Sequence, residues 1–295
     1  MDTAPCKNSL LGILLVVIAM LAFSVMSGFV KAVSHTGLAT QQVMFFQNIA
    51  ALLILLPWIL RQGKEVFIPG NKSLVFLRAI LGISSMYLFF LAVRLAPLVN
   101  AVLLQNTAPL FIPLLALILF KKRIALKVIA SMIIGFIGVM LVLNPGRGFL
   151  LHPGDIVALS AGFISAVVTI VIGRLEDKDE SVATIMLYYL VITILVTGIW
   201  SIYAWKMPQG VQWLYLIAAG ILYAIFQVLM ILSLKYGTPI IISPFIYLGV
   251  VFSGLVDWIA WKQVPDHLTI IGAFVVVIGT VLSTLRFPQL RGHTT

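Results

Sequence analysis

Polar side chains inside long apolar stretches are the residues of this sequence that could do chemistry. Amides, hydroxyls and phenols donate and accept hydrogen bonds without carrying charge at neutral pH. They therefore predict a site that binds a small polar or amphipathic molecule. The same site has too little charge to hold a multivalent ion. The candidate residues are Ser24, Gln47, Asn48, Tyr87, Gln105, Asn106, Ser165, Tyr223, Gln227 and Tyr247.

Two neighbouring amides, Gln105 and Asn106, lie near the middle of their apolar stretch. Pro109 lacks the backbone N–H that would bond the carbonyl of Gln105 in a helix, so that carbonyl becomes free to accept from another group. Adjacent residues on a helix point about 100° apart, so both amides cannot face one ligand. We assign Asn106 to the ligand and Gln105 to a helix contact.

Two charged residues within the apolar stretches each have two readings. Asp257 is the only acid well inside a stretch, about one turn from its end. It either couples transport to a proton or substrate, or reaches water or pairs with Lys31 or Arg94. Arg78 either extends towards water or a phosphate, or holds an anionic substrate.

Motifs for catalysis and metal binding are absent from the sequence. It contains no His-Glu-x-x-His, Gly-x-Ser-x-Gly or Walker-type loop, and its four histidines are scattered over termini and loops. The one cysteine, Cys6, cannot form an intramolecular disulfide or a cysteine-based metal cluster. The sequence predicts no enzyme, no metal site and no cofactor.

The composition of the chain indicates the environment in which these polar residues lie. The 295-residue chain is 62% hydrophobic and 9% charged, whereas about 25% of residues are charged in soluble proteins. Such a chain belongs in lipid, where ionisable groups are costly. The net charge of +10 comes from dispersed Lys and Arg, so we expect membrane lipid and a small-molecule substrate as partners, and no nucleic acid.

Apolar stretches long enough to cross a membrane follow one another along the chain, and they do not alternate as barrel strands would. They predict an all-α integral membrane protein with ten transmembrane helices. Loops expected inside carry 14 Lys and Arg, against 5 outside, which places both termini in the cytoplasm of a cytoplasmic (inner) membrane protein. The stretches are residues 10–33, 40–60, 74–95, 97–120, 124–143, 154–173, 182–205, 211–234, 239–261 and 267–285.

The two halves of the sequence are related. A shift of 141 positions aligns Arg94 with Lys235 and Lys121 with Lys262 without a gap, and it places Asn106 on Tyr247. Because each half has five stretches, the halves at 10–143 and 154–285 should have opposite orientations in the membrane. Prolines interrupt the corresponding fourth and ninth stretches, which is typical of a transporter's substrate site or, alternatively, of a packing kink.

The fifth and tenth stretches have few polar groups and are expected at the periphery. Their glycines, Gly135, Gly138 and Gly272, predict close helix packing, with a homodimer as the alternative.

Several motifs resemble the EamA repeats of the drug/metabolite transporter superfamily. The first half has Arg78, Gly82, Tyr87, the segment 92–97, Thr107-Ala108-Pro109-Leu110 and the segment 135–139; the second has Val264-Pro265-Asp266 and Ile271-Gly272-Ala273. The resemblance implies a ten-span secondary carrier with a cavity lined by spans 1–4 and 6–9. This chain departs from the family's Gly-Glu at the ends of spans 4 and 9, where it has Lys121-Lys122 and Lys262-Gln263.

The sequence therefore predicts a secondary-active transporter that works by alternating access. Its expected substrate is a small polar or amphipathic metabolite such as an amino acid, a nucleoside-like compound or an S-adenosylmethionine-like compound. A membrane channel is the alternative, and a membrane-embedded enzyme is a weaker one.

Overall fold

The fold is all-helical over the residues that the computed structural model describes, namely 9–108, 110–111, 115, 126–143, 153–176, 178, 180–236, 245–246, 248–263 and 266–284. Two short 3-10 segments, Lys64–Phe67 and Ile202–Ala204, join α-helices. The α-helices are α1 Ser9–Ser34, α2 Thr40–Arg61, α3 Lys72–Leu95, α4 Leu98–Gln105, α5 Leu126–Leu143, α6 Pro153–Glu176, α7 Val182–Ser201, α8 Val211–Tyr236, α9 Leu248–Trp261 and α10 His267–Thr284.

Six of these helices, α1, α2, α3, α6, α7 and α8, are long and apolar enough to cross a membrane. Within the described residues α9 and α10 contain shorter apolar segments. The prediction of a multi-pass, all-helical membrane protein is confirmed by these spans, whereas the count of ten spans stays a prediction.

Local capping fixes where two of the long helices begin. The Asn71 side chain accepts a hydrogen bond from the Leu74 N–H at 3.0 Å, and Ser181 accepts one from the Thr184 N–H at 3.0 Å. Each side chain partners one of the backbone N–H groups that a helix start leaves open. These caps set the register of α3 and α7, both of which contribute to the polar interior.

Helix packing follows a pattern that relates the two halves. The contacts between α1 and α8 correspond to those between α6 and α3, and the contacts of α1 with α9 and of α2 with α8 correspond to those of α6 with α4 and of α7 with α3. The remaining large contacts join α2 to α7, α4 to α9 and α5 to α10. Exchanging each helix for the one five places along the chain leaves this pattern unchanged. The division into repeats at 10–143 and 154–285 stays a prediction, which this packing supports.

Helices α5 and α10 pack chiefly against each other, as expected for peripheral helices. A Cβ atom at Gly138 would lie 2.6 Å from the backbone N of Val276 and 2.8 Å from the carbonyl O of Gly272. The two backbones therefore touch at these glycines, which gives the small residues a packing role within one chain. The homodimer stays untested.

The fourth span, predicted over 97–120 with prolines interrupting it, begins with a short helix. Helix α4 has 8 residues and ends at Gln105. Asn106 is its C-terminal cap, and the N–H of Thr107 bonds the carbonyl of Leu104, three residues back, at 3.2 Å. The regular helix thus ends before Pro109, which lies outside the described residues, as do Pro113 and Pro244. Gly162 of α6 packs against this helix end, where an added Cβ would lie 2.9 Å from Thr107 Oγ1.

Candidate functional site

The polar residues of the interior form three groups, which lie at successive depths between the two halves. The first lies where α3 and α7 begin, the second surrounds the end of α4, and the third lies where α1 and α9 end. Each group joins helices from both halves of the sequence.

The first group is built around Arg78 of α3, whose side chain is 6% exposed. Its guanidinium carbon lies 4.1 Å from the ring centroid of Tyr189 in α7. The Tyr189 hydroxyl accepts a hydrogen bond from the Tyr223 hydroxyl at 2.9 Å, and Gln227 Nε2 donates to that Tyr223 oxygen at 2.6 Å. The predicted site residues Tyr223 and Gln227 are therefore in one chain of contacts with Arg78, which we name the arginine–tyrosine cluster (Arg78, Tyr189, Tyr223 and Gln227).

Arg78 does not extend to water, so the interpretation that its side chain reaches out of the span to water is wrong. Its side chain stacks on an aromatic ring within the bundle and is almost fully buried. The nitrogen atoms Nε and Nη1 have no hydrogen-bond partner. The sequence alone could not distinguish a buried, stacked arginine from one that extends to water, because an arginine near the end of a span can do either.

The second group brings Ser24 and Asn106 to the same part of α9. Ser24 Oγ donates to the carbonyl O of Gly249 at 2.9 Å. Asn106 Nδ2 lies 3.6 Å from the position that a Cβ would occupy at Gly249, and it has no hydrogen-bond partner. A free amide nitrogen therefore lies beside the backbone of the second half.

Gln105 contacts other helices through its amide. Its Nε2 is 3.4 Å from Ser85 Oγ, which in turn donates to the carbonyl O of Ala161 at 3.0 Å. This links the end of α4 to α3 and α6, in the manner expected of a helix contact, although Oε1 of Gln105 has no partner.

Two amides of α2 also have incomplete hydrogen bonding. Gln47 Nε2 donates to the sulfur of Met26 at 3.2 Å, and Asn48 Nδ2 donates to the carbonyl O of Met44 at 2.7 Å. The amide oxygens of Gln47 and Asn48 are buried and have no partner.

The other predicted site residues are less closely connected to these groups. The Tyr87 ring packs on Trp200 with ring centroids 4.8 Å apart. Ser165 is half-buried in α6, and Tyr247 lies outside the described residues. The substrate-binding roles of all these residues stay predictions.

Aromatic rings lie next to the arginine–tyrosine cluster. The Phe226 ring lies 6.3 Å from that of Tyr223, and the Phe23 ring lies 4.9 Å from that of Phe226 and 5.2 Å from that of Phe89, measured between centroids. Rings from α1, α3 and α8 therefore pack together in the interior.

The third group pairs Asp257 of α9 with Lys31 of α1. Lys31 Nζ lies 2.7 Å from Asp257 Oδ1, and the two side chains are 4% and 1% exposed. Asp257 Oδ2 accepts a hydrogen bond from the Val99 N–H at 3.2 Å, at the start of α4. Lys31 also donates to Gln263 Oε1 at 3.2 Å and lies 4.6 Å from the Trp261 ring centroid. Of the readings of Asp257, the structure shows the pair with Lys31, and proton coupling stays a prediction.

Tyr189 and Ser85 belong to these groups although the sequence analysis did not select them. Tyr189 follows Tyr188 in a span whose other polar side chains are threonines and a serine, and a phenol in such a span is a signal that could have been used. Ser85 follows Ser84, whose hydroxyl bonds its own helix instead. Only packing distinguishes the two serines.

Metal chemistry has no donor set among the described residues. No three His, Cys, Asp or Glu side chains of that part of the chain are grouped so that they could hold an ion. The groups described above can bind and orient a ligand through hydrogen bonds, aromatic faces and one guanidinium.

Comparison with known proteins identifies the family. The model of the EamA-like transporter family matches residues 10–144 and 152–285. The chain belongs to this family. The resemblance seen in the sequence is thereby confirmed.

Relatives support the same assignment. The pseudopaline exporter CntI of Pseudomonas aeruginosa is 27% identical over 92% of this chain and 94% of its own length. The riboflavin transporter of Vibrio cholerae is 25% identical over 94% of each chain, and the S-adenosylmethionine uptake transporter of Rickettsia prowazekii is 23% identical over 83% of each. A solved crystal structure matches 96% of this chain and 99% of its own, with 21% identity and a TM-score of 0.60, which shows the fold alone.

This EamA protein is therefore a multi-pass membrane transporter of small molecules and not an enzyme. Both statements confirm predictions made from the sequence. The family membership does not choose the substrate, the direction or the mechanism.

The buried pair allows a test by a double-mutant cycle. Asp257→Asn or Lys31→Met leaves one charge buried without its partner, so each should lower the free energy of unfolding by about 3 kcal/mol. The double variant should lose clearly less than the sum of the two, because no charge remains unpaired. Equilibrium unfolding in mixed micelles measures the three values.

Lys206→Met is the matched control, since Lys206 is exposed and donates only to the Gly37 carbonyl at 3.4 Å. It should change stability by no more than about 0.5 kcal/mol. Additive losses in the double variant would contradict a direct pair.

Proton coupling through Asp257 can be tested by transport into vesicles. If Asp257 carries the coupling proton, Asp257→Asn should stop uphill accumulation of substrate and preserve exchange. Normal accumulation in the variant would remove that role.

Proposed function

We propose that this protein is a secondary carrier that moves a small polar or amphipathic metabolite across the cytoplasmic membrane by alternating access. The observation that carries the proposal is a set of buried amide atoms without partners, on Gln105 and Asn106 at the end of α4 and on Gln47 and Asn48 of α2. They lie between helices of the two halves, where a carrier of this type would bind its substrate. Gln47, Asn48, Gln105 and Asn106 each contribute one such atom.

The energetics favour a ligand at this position. Each buried polar atom without a partner costs about 1–3 kcal/mol, and neighbouring lipid cannot supply the missing bond. A ligand with complementary donors and acceptors recovers part of that cost on binding. Three unpaired atoms are amide oxygens, which accept, and the Asn106 nitrogen donates. The site therefore suits a molecule that has both donors and acceptors.

Alternating access requires that the two halves separate at one end while they close at the other. Lys31 and Asp257 join α1 to α9, and Asp257 also bonds the start of α4, so this contact closes one end of the bundle. The contact pattern shared by the two halves supports a movement of one repeat against the other. We infer that the pair is part of the outer closure.

The substrate class rests on the site and on the family. The relatives are named for pseudopaline, riboflavin and S-adenosylmethionine. These different names favour a metabolite carrier without selecting one compound for this chain. Amino acids, nucleoside-like compounds and S-adenosylmethionine-like compounds remain the proposed classes.

Asn106→Ala tests the binding site directly. A panel of these metabolites is first screened for compounds that raise the melting temperature of the purified protein, since a ligand at 100 times its Kd adds about 2.7 kcal/mol. For the compound found, Asn106→Ala should weaken binding by about 0.5–1.5 kcal/mol and change the melting temperature of the free protein little, because Nδ2 has no partner to lose.

Gln105→Ala is the control for stability in that experiment. Its amide nitrogen lies 3.4 Å from Ser85 Oγ, so its loss should lower the stability of the free protein, whereas Asn106→Ala should not. An unchanged Kd in a folded Asn106→Ala protein would remove Asn106 from the site. Flux that fails to saturate with substrate concentration would instead favour a channel.

The orientation can be tested with single cysteines at two exposed positions. We propose that Lys178 faces the cytoplasm and Lys206 the outside, with both termini inside, because positive charge is concentrated in the loops on one side. In a Cys6→Ser background, Lys178→Cys and Lys206→Cys should react with an impermeant thiol reagent from opposite sides of the membrane. Labelling from the same side would contradict the ten-span, inverted arrangement.

A further inference from the structure

The structure buries the charge of Arg78 without pairing it with a carboxylate of the described residues. The binding of a neutral ligand would not account for that charge. Among the described residues Arg78 takes part in no ion pair, and both Nε and Nη1 have no hydrogen-bond partner. Lys31, which is also a buried cation of the part of the chain that the structure describes, is neutralised by Asp257 at 2.7 Å. The two ends of the bundle thus differ in how their buried cations are compensated.

The depth of Arg78 makes this cation costly. It lies six residues after Lys72, the first residue of α3, which is about 9 Å along a helix. A charged side chain inside a span is costly unless it finds a partner or water. The Tyr189 ring supplies a cation–π contact, but such a contact does not neutralise the charge.

The surroundings hold the guanidinium in one orientation. A Cβ at Gly82 would lie 2.9 Å from the Tyr189 ring and 3.3 Å from Arg78 Nη1, so the glycine leaves the space that both groups occupy. The Tyr189 hydroxyl is itself held by Tyr223, and Tyr223 by Gln227. A fixed, planar donor with free N–H groups is the arrangement that binds carboxylate or phosphate oxygens in proteins.

We propose that Arg78, held by Tyr189 in the arginine–tyrosine cluster, binds an anionic oxygen group, a carboxylate or a phosphate, of the transported metabolite. The inference rests on the proposed function and names the substrate class more closely. Tyr223 and Gln227 are positioning residues, because they act on the anion through Tyr189. The Phe226 ring lies 6.3 Å from that of Tyr223 and packs on Phe23, so the surroundings of the rest of the molecule would be apolar.

Benzoate, phenyl phosphate and benzamide are simple probes for this site. Benzoate and benzamide have nearly the same shape, and only benzoate is charged. We expect benzoate or phenyl phosphate, at millimolar concentration, to raise the melting temperature of the purified full chain, and benzamide to have no effect. Arg78→Gln should weaken the binding of the stabilising anion at least about tenfold, as expected for loss of a charge-assisted bond.

Arg94→Gln is the matched control, because Arg94 is an exposed arginine at the other end of the same helix. It should leave the affinity for the anion unchanged. Arg78→Lys keeps the charge without the planar donor and should weaken binding at least about fivefold, which decides the question if Arg78→Gln does not fold. Tyr189→Phe keeps the ring but removes the hydroxyl that Tyr223 holds, so it should weaken anion binding by up to about threefold, less than Arg78→Gln does.

Three results would overturn the inference. These are no stabilisation by either anion, equal stabilisation by benzoate and benzamide, and anion affinity unchanged in folded Arg78→Gln or Arg78→Lys protein. A fourth concerns the source of the anion: if added phosphatidylglycerol abolishes the benzoate effect, a lipid headgroup occupies Arg78 and the metabolite does not.

Failure of this inference can be told apart from failure of the proposed function. The metabolite screen and the transport assay use the unmodified protein and do not require a charged substrate. A metabolite that is transported equally by the unmodified protein and by Arg78→Gln would leave the carrier intact and remove the anion site.

Discussion

A polar group inside lipid must find its partner within the protein, and the interior of this molecule follows from that constraint. Long apolar helices satisfy their own backbone groups, so only side chains and helix ends need partners. Most interior hydroxyls bond a carbonyl nearby, as Thr193 and Thr197 do one turn back on their own helix. The amides at the end of α4, and Gln47 and Asn48 of α2, are different, because each keeps one buried atom unpaired. Both helices pack against helices of the other half, which is why we place the ligand there.

The same constraint relates the two ends of the bundle. At one end a cation and an acid from different halves neutralise each other, and the acid also bonds the start of α4. At the other end Arg78 is ordered by aromatic and hydroxyl groups without a carboxylate. A closed ion pair needs no ligand, whereas an ordered free cation attracts one. In this account the first end closes the bundle and the second receives the anionic part of the substrate.

The sequence was sufficient for the features that depend on composition and period. Apolar length predicted the long helices, and polar content correctly separated α5 and α10 from the interior. It could not predict which polar residues meet, because that depends on the rotation of each helix about its axis. Tyr189 belongs to the arginine–tyrosine cluster, whereas Tyr87 packs on Trp200. Pro109 and Pro113 indicated an interruption of the fourth stretch, and α4 ends four residues before Pro109. The inward direction of Arg78 could not be foreseen, because it depends on contacts with other helices.

The central claim is that the buried amides between the two halves bind a ligand, which requires that this interior opens to water during the transport cycle. Single cysteines at Gln227, in the interior, and at Ile225, which is 40% exposed on the outer surface of the same helix, test it most directly in a Cys6→Ser background. A charged thiol reagent reacts only where water reaches. The account predicts fast reaction at position 227 and little at position 225. Equal resistance at both positions, with and without substrate, would contradict it.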